Sequence, residues 1–109
     1  MDKIVIDLND KSINERRLGS LGSYGEFARN VHSLLLDLSL AGFSVPASIR
    51  GTQKQIDAFF RALKNEKRYM ESYMKHGLGD TRTMMNKRDL DRAVSGFERE
   101  TGLRWPFKN

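Results

Sequence analysis

Apolar residues fall along this chain in two rhythms. Near the N-terminus Ile4, Ile6 and Leu8 alternate with Val5 and Asp7, the period-two pattern of a half-buried strand, and Asn9-Asp10 supplies turn chemistry that ends it. A second alternation sets Phe43, Val45, Ala47 and Ile49 against Ser44, Ser48 and Arg50. Pro46 has no amide proton to give a sheet ladder, so that strand lies at an edge or starts late. Between the two, Phe27, Val31, Leu34, Leu35 and Leu38 recur at helical spacing. Ser23 with Glu26 forms a capping box in front of them, and Gly42 offers a stop after which Phe43 can reach back to Leu38.

The longest pattern runs from Thr52 to Gly77. Ile56, Phe59, Phe60, Leu63, Met70 and Met74 share one helical stripe, and Lys54, Arg61, Arg68 and Lys75 recur every seventh residue opposite it. Thr52 and Gln55 match a second capping box, in which each side chain satisfies a backbone donor of the other. Lys75 and His76 place cations at the negative end of the helix dipole. Gly77 can take the left-handed closing conformation, with Leu78 folding back onto Tyr73. Glu66 and Lys67 fall inside the apolar stripe and divide it. The second half, with Tyr69, Met70, Tyr73 and Met74, packs on a different element, extends beyond the core, or meets a partner.

Leu78 to Met85 is rich in turn formers and reads as a connection. Asn86 with Asp89 marks the start of a third helix whose inward stripe is Leu90, Ala93, Val94 and Phe97. Gly102 ends it and Leu103 can touch Phe97. Gly96 in mid-helix suggests close approach of another backbone. The C-terminal stretch reads Leu103-Arg104-Trp105-Pro106-Phe107-Lys108, where the two aromatics either cover the domain's own core or dock on a partner.

These elements predict an α+β fold in the order β-α-β-α-α, about half helical. Strands are expected at residues 3–8 and 44–50, with helices at 24–41, 53–76 and 87–101. Strand, helix, strand is the order of a crossover unit with two parallel strands. Residues 11–22 hold Ile13, Leu18 and Leu21 among charges and small residues, and fit either a third strand or a loop. The expected core is Ile4, Ile6, Phe27, Val31, Leu34, Leu35, Leu38, Val45, Ile49, Ile56, Phe59, Phe60, Leu63, Leu90, Val94 and Phe97.

Composition narrows the function classes. At 109 residues the chain is one domain by size and large enough to bury a core without staples. It has no cysteine, which removes disulfides and thiol nucleophiles and disfavours structural zinc. A cytoplasmic protein is the expectation. The N-terminal apolar run is short for a signal peptide, and no stretch of about 18 apolar residues occurs, so no membrane span is expected. A formal charge of +5 leans toward anionic partners.

No stretch names a reaction. His76 and Asp80 lie near each other, but an orienting pair needs a nucleophile or further ligands. Two histidines leave a transition-metal site short of donors, and the carboxylates Asp7, Asp10, Asp80, Asp89 and Asp91 show no spacing that demands magnesium. His32, on the flank of the first helix, is expected to be satisfied within the fold. Gly77-Leu-Gly79-Asp-Thr-Arg82 lacks the spacing of a phosphate loop. No enzyme, cofactor or metal is therefore expected.

Two surfaces remain. The first is basic: Lys54, Arg61, Lys64, Arg68 and Lys75, continued by Arg82, Lys87 and Arg88, suits sequence-independent contacts to a nucleic-acid backbone. Asp57 and Glu71 share that face, and a solvated helix of mixed charge is the ordinary alternative. The second is apolar: Tyr69, Met70, Tyr73, Met74, Met84 and Met85 with Trp105 and Phe107 would suit another protein or a second copy. A helix-turn-helix is not expected, because the connection before the third helix reads as too long.

Overall fold

The computed structural model describes residues 4–10, 21–38 and 47–107. Strand β1 (Ile4–Asp7) pairs in parallel with β2 (Ala47–Arg50), in the register Ile4 to Ala47 through Asp7 to Arg50. The amide of Leu8 donates to the carbonyl of Arg50 at 2.8 Å and extends the ladder by one step. Asp7 Oδ1 then accepts from the amide of Asn9 at 3.0 Å, and this side-chain turn ends the strand where the Asn-Asp signal placed it. β2 is described from Ala47 onward, and Pro46 lies outside the described residues. Residues 11–20, Val45 and the Gly42-Phe43 stop lie outside the described residues, and so does the question of a third strand.

Between the strands runs α1 (Leu21–Asp37). It starts before Ser23, so that residue lies inside the first turn and is not the cap. Phe27, Val31, Leu34, Leu35 and Leu38 are buried as the spacing predicts. The helix ends at Asp37 rather than 41. There the Lys67 ammonium donates to the Leu38 carbonyl, a cation at the negative end of the α1 dipole.

α2 (Gln53–His76) and α3 (Thr81–Thr101) form the bulk of the molecule. The Thr52 box is complete: the amide of Gln55 donates to Thr52 Oγ1 at 3.2 Å, and the amide of Thr52 donates to Gln55 Oε1 at 2.8 Å. The same Gln55 side chain donates from Nε2 to Asn9 Oδ1 and to the carbonyl of Glu100. One residue thus caps α2 and ties it to the turn after β1 and to the far end of α3. Near the opposite end Ser72 and Thr83 are buried, and Thr83 Oγ1 bonds both the hydroxyl and the carbonyl of Ser72. Contacts at both ends make α2 and α3 an antiparallel hairpin.

The hairpin corrects the third helix. α3 starts at Thr81, not near residue 87, because Asp80 is its cap and accepts the amide of Arg82 at 2.8 Å. Only residues 77–80 join the helices, so the connection is short. It is the antiparallel packing, and not loop length, that sets this pair apart from a helix-turn-helix. Gly77 has φ +84° and ψ 168°, a region open essentially to glycine but not the left-handed helical one, and Leu78 stays exposed instead of folding back on Tyr73. Gly102 does close α3 in the left-handed conformation, and Leu103 is buried behind it. Nearest to a Cβ built on Gly96 is the Arg99 guanidinium at 3.9 Å, so no second backbone crowds that glycine.

The core joins the sheet, α1, the first half of α2, and α3 from Leu90 onward. Of the expected residues Ile4, Ile49, Ile56 and Phe60 are half-buried and pack against it, while Leu8, Ala62, Ala93, Leu103 and Trp105 join it in addition. Trp105 is 1% exposed. Its ring lies 5.1 Å from Phe97 and 6.3 Å from Phe59, its Nε1 donates to Glu66 Oε1 at 2.8 Å, and its amide donates to Glu98 Oε2. Phe107 meets Trp105 edge-on from outside at 5.9 Å and reaches the exposed His32 at 6.1 Å. The C-terminal aromatics cover the core. Trp105→Ala removes the largest fully buried side chain and is expected to lower the unfolding free energy by about 3–5 kcal/mol; a urea midpoint equal to wild type would contradict this packing role.

Candidate functional site

The two sides of the α2–α3 hairpin differ in chemistry. On one side two shallow grooves lie end to end. The first, about 410 Å³, is lined by Arg68, Glu71, Ser72, Lys75 and His76 of α2 and by Arg82, Met85, Asn86 and Asp89 of α3. The second, about 240 Å³, is lined by Lys54, Asp57, Ala58 and Arg61 and by Arg92, Ala93, Gly96, Arg99 and Glu100. Residues seven apart return to the same side of a helix, so Lys54, Arg61, Arg68 and Lys75 run along one wall and Arg92 and Arg99 along the other.

Seven Lys and Arg side chains line these grooves against four carboxylates. Arg82 is engaged locally: its Nε and a terminal nitrogen fork onto the two oxygens of Asp80 at 3.0 and 3.1 Å. No described carboxylate lies within ion-pair distance of Lys54, Arg61, Arg68, Lys75, Arg92 or Arg99. Asp57, the acid beside Lys54 and Arg61, accepts instead from Gln53 Nε2 at 2.7 Å. Ala58, Ala93 and Gly96 form a low floor, and the Arg99 guanidinium turns back over Gly96.

The predicted basic residues separate accordingly. Lys54, Arg61, Arg68, Lys75 and Arg82 come together, and Lys64 lies exposed three residues beyond Arg61 and four before Arg68. Arg88 is exposed one turn before Arg92. Lys87 leaves the stripe: its ammonium donates to Asp91 at 2.9 Å, lies 5.7 Å over the Tyr69 ring, and faces a small cavity shared with Glu66, Trp105 and Phe107. Arg92 and Arg99 were not among the expected residues, although their seven-residue spacing is the same signal that marks the α2 row.

The other side of the hairpin is apolar at its tip. Tyr73, Met74, Leu78 and Met84 are exposed, Met74 by 77%. Tyr69 and Met70 are half-buried, and Tyr69 packs against the core. Met85 is exposed but lines the basic groove, so the methionine pair is split between the two faces. Buried Trp105 and half-buried Phe107 are not part of this patch.

Glu66, in the small cavity, has its pKa raised by burial, partly offset by the hydrogen bond from Trp105. Among the described residues no three acidic, histidine or cysteine side chains are close enough to hold a metal ion, and no helix is long and apolar enough to cross a membrane. Compared with protein-family models, curated proteins and solved structures, the chain matches none.

The first turn of α3 offers no anion site, since the Asp80 carboxylate already occupies it. Arg82, first through its side chain and then through its amide, lowers the Asp80 pKa from 3.8 to about 2. A folded value below the unfolded one means that this cap contributes its stability above about pH 4 and loses it as pH falls through about 2. A carboxyl-carbon NMR titration should give Asp80 a midpoint near 2; a midpoint near 4 would show that the fork with Arg82 is not held in solution.

Proposed function

We propose that this chain is a non-enzymatic binding protein that engages nucleic acid through the basic side of the α2–α3 hairpin. Its contacts go to phosphates and are independent of sequence. The observation that carries the reading is the set of six cations, Lys54, Arg61, Arg68, Lys75, Arg92 and Arg99, that line one continuous side of two helices without a described ion-pair partner. Seven cations against four carboxylates leave this side net positive and attractive to an external polyanion, and each phosphate the cations neutralise releases a condensed counterion. A cytoplasmic setting belongs to the same proposal.

The test is affinity for a short nucleic acid across a salt series. Arg61→Gln with Arg68→Gln is expected to leave the melting temperature nearly unchanged, since exposed charges contribute little to stability. The same pair should weaken binding and flatten the salt slope by about 1–2 units. Absence of wild-type binding at low salt, where attraction is greatest, would end the proposal.

A second reading rests on the tip of the hairpin, where Tyr73, Met74, Leu78 and Met84 expose large apolar side chains. It assigns that patch to docking on another protein or on a second copy of the chain. For the second copy, sedimentation velocity should show mass rising with concentration in the wild type and not in Met74→Ser/Met84→Ser. A monomer throughout the micromolar range would remove self-association.

A further inference from the structure

The basic side is specific about the form of nucleic acid it suits. Proteins that hold single strands pair a cationic groove with aromatic side chains on which the bases stack. Neither groove is lined by Phe, Tyr or Trp. Tyr69 is turned away, under the Lys87 ammonium, and Phe59, Phe97 and Trp105 are buried. An unstacked base would find one imidazole, that of His76, at the far end of the first groove, and only aliphatic carbon and charge in the second.

The cations also stand in two rows on neighbouring helices. Packed helices lie about 8–10 Å apart, so the α2 and α3 rows flank a low floor and can address two backbones at once. Each helix is about 10–12 Å across, which makes the pair about 20 Å wide, too broad for a major groove of about 12 Å. Base edges stay out of reach. Lys54 to Lys75 spans about 31 Å at the helical rise per residue, close to the roughly 34 Å of one duplex turn.

Resting on the nucleic-acid reading above, we propose that the ligand is a double helix, gripped on its phosphates over about one turn by cations of both helices. The α2 row supplies Arg61 and Arg68, and the α3 row Arg92 and Arg99. A single strand has one backbone, occupies one row, and gains nothing from the other.

The experiment measures fluorescence anisotropy of the full chain at one low salt concentration with a labelled 20-base-pair duplex, with its single strand, and with polyglutamate as competitor. The duplex should bind at least about tenfold tighter than the single strand, in keeping with its denser charge. Arg92→Gln/Arg99→Gln, checked for an unchanged melting temperature, should reduce duplex affinity about tenfold and single-strand affinity by less than half that factor. A single strand bound as tightly as the duplex, or lost equally in the variant, overturns the duplex inference and leaves nucleic-acid binding intact. Binding to neither form, or competition by polyglutamate as strong as by unlabelled duplex, overturns both.

Discussion

Trp105 enters the core from a segment that belongs to no helix or strand, and it holds together parts that otherwise meet at their edges. Its indole fills the space between Phe59 of α2 and Phe97 of α3, and its two N–H groups are taken by Glu66 and Glu98, one from each helix. An indole brings a large apolar surface but also a donor that cannot be left unpaired in a core. Glu66 answers that donor at the cost of its own desolvation, which is why its pKa rises. One turn of α2 therefore carries two inward polar groups: Glu66 holds the C-terminal tryptophan, and Lys67 holds the carbonyl end of α1.

That arrangement explains why the apolar stripe of α2 breaks where it does. Before the break the stripe is core: Phe59 and Leu63 are fully buried. After it the hairpin projects past α1 and the sheet, and among the described residues the partner left for α2 is α3. There the contact is polar and small, with Ser72 against Thr83. Among the described residues no element covers Tyr73 and Met74, and they are exposed.

Much of this was legible in the sequence. Alternation at Ile4–Asp7 and the Thr52–Gln55 box located β1 and the start of α2, because both depend on residues adjacent in sequence. The start of α3 was not legible in the same way. Asp80 is followed at the third position by Thr83 rather than by Glu or Gln, so it forms no reciprocal box, whereas Asn86 with Asp89 imitates one. What settles the matter is Thr83, whose hydroxyl reaches across to Ser72, a contact that single-helix spacing does not report. Lys87 was misplaced for the same reason: moving the helix start back extends the periodicity and carries Lys87 to the Tyr69 side. Size and apolarity left two places for the tryptophan, the core or a partner, and what decides between them, its packing on Phe59 and Phe97 and its carboxylate partners, depends on tertiary geometry.

The separation of the two outer faces follows from the core and not from any pattern of charge. Once Phe59, Leu63, Leu90, Val94 and Phe97 commit one side of each helix to the interior, the residues two and five positions away, with their seven-residue repeats, must line the opposite side, whatever they are. In α2 those positions hold Lys54, Arg61, Arg68 and Lys75, and in α3 they hold Arg92 and Arg99. Packing alone needs only polar residues there. It does not require that the cations repeat in step on both helices, nor that Asp57 be turned to Gln53 and Asp80 to Arg82, leaving six of the groove's basic side chains without a described ion-pair partner. The fold accounts for a polar face, and the surplus of unpaired positive charge on it is the part that folding does not explain.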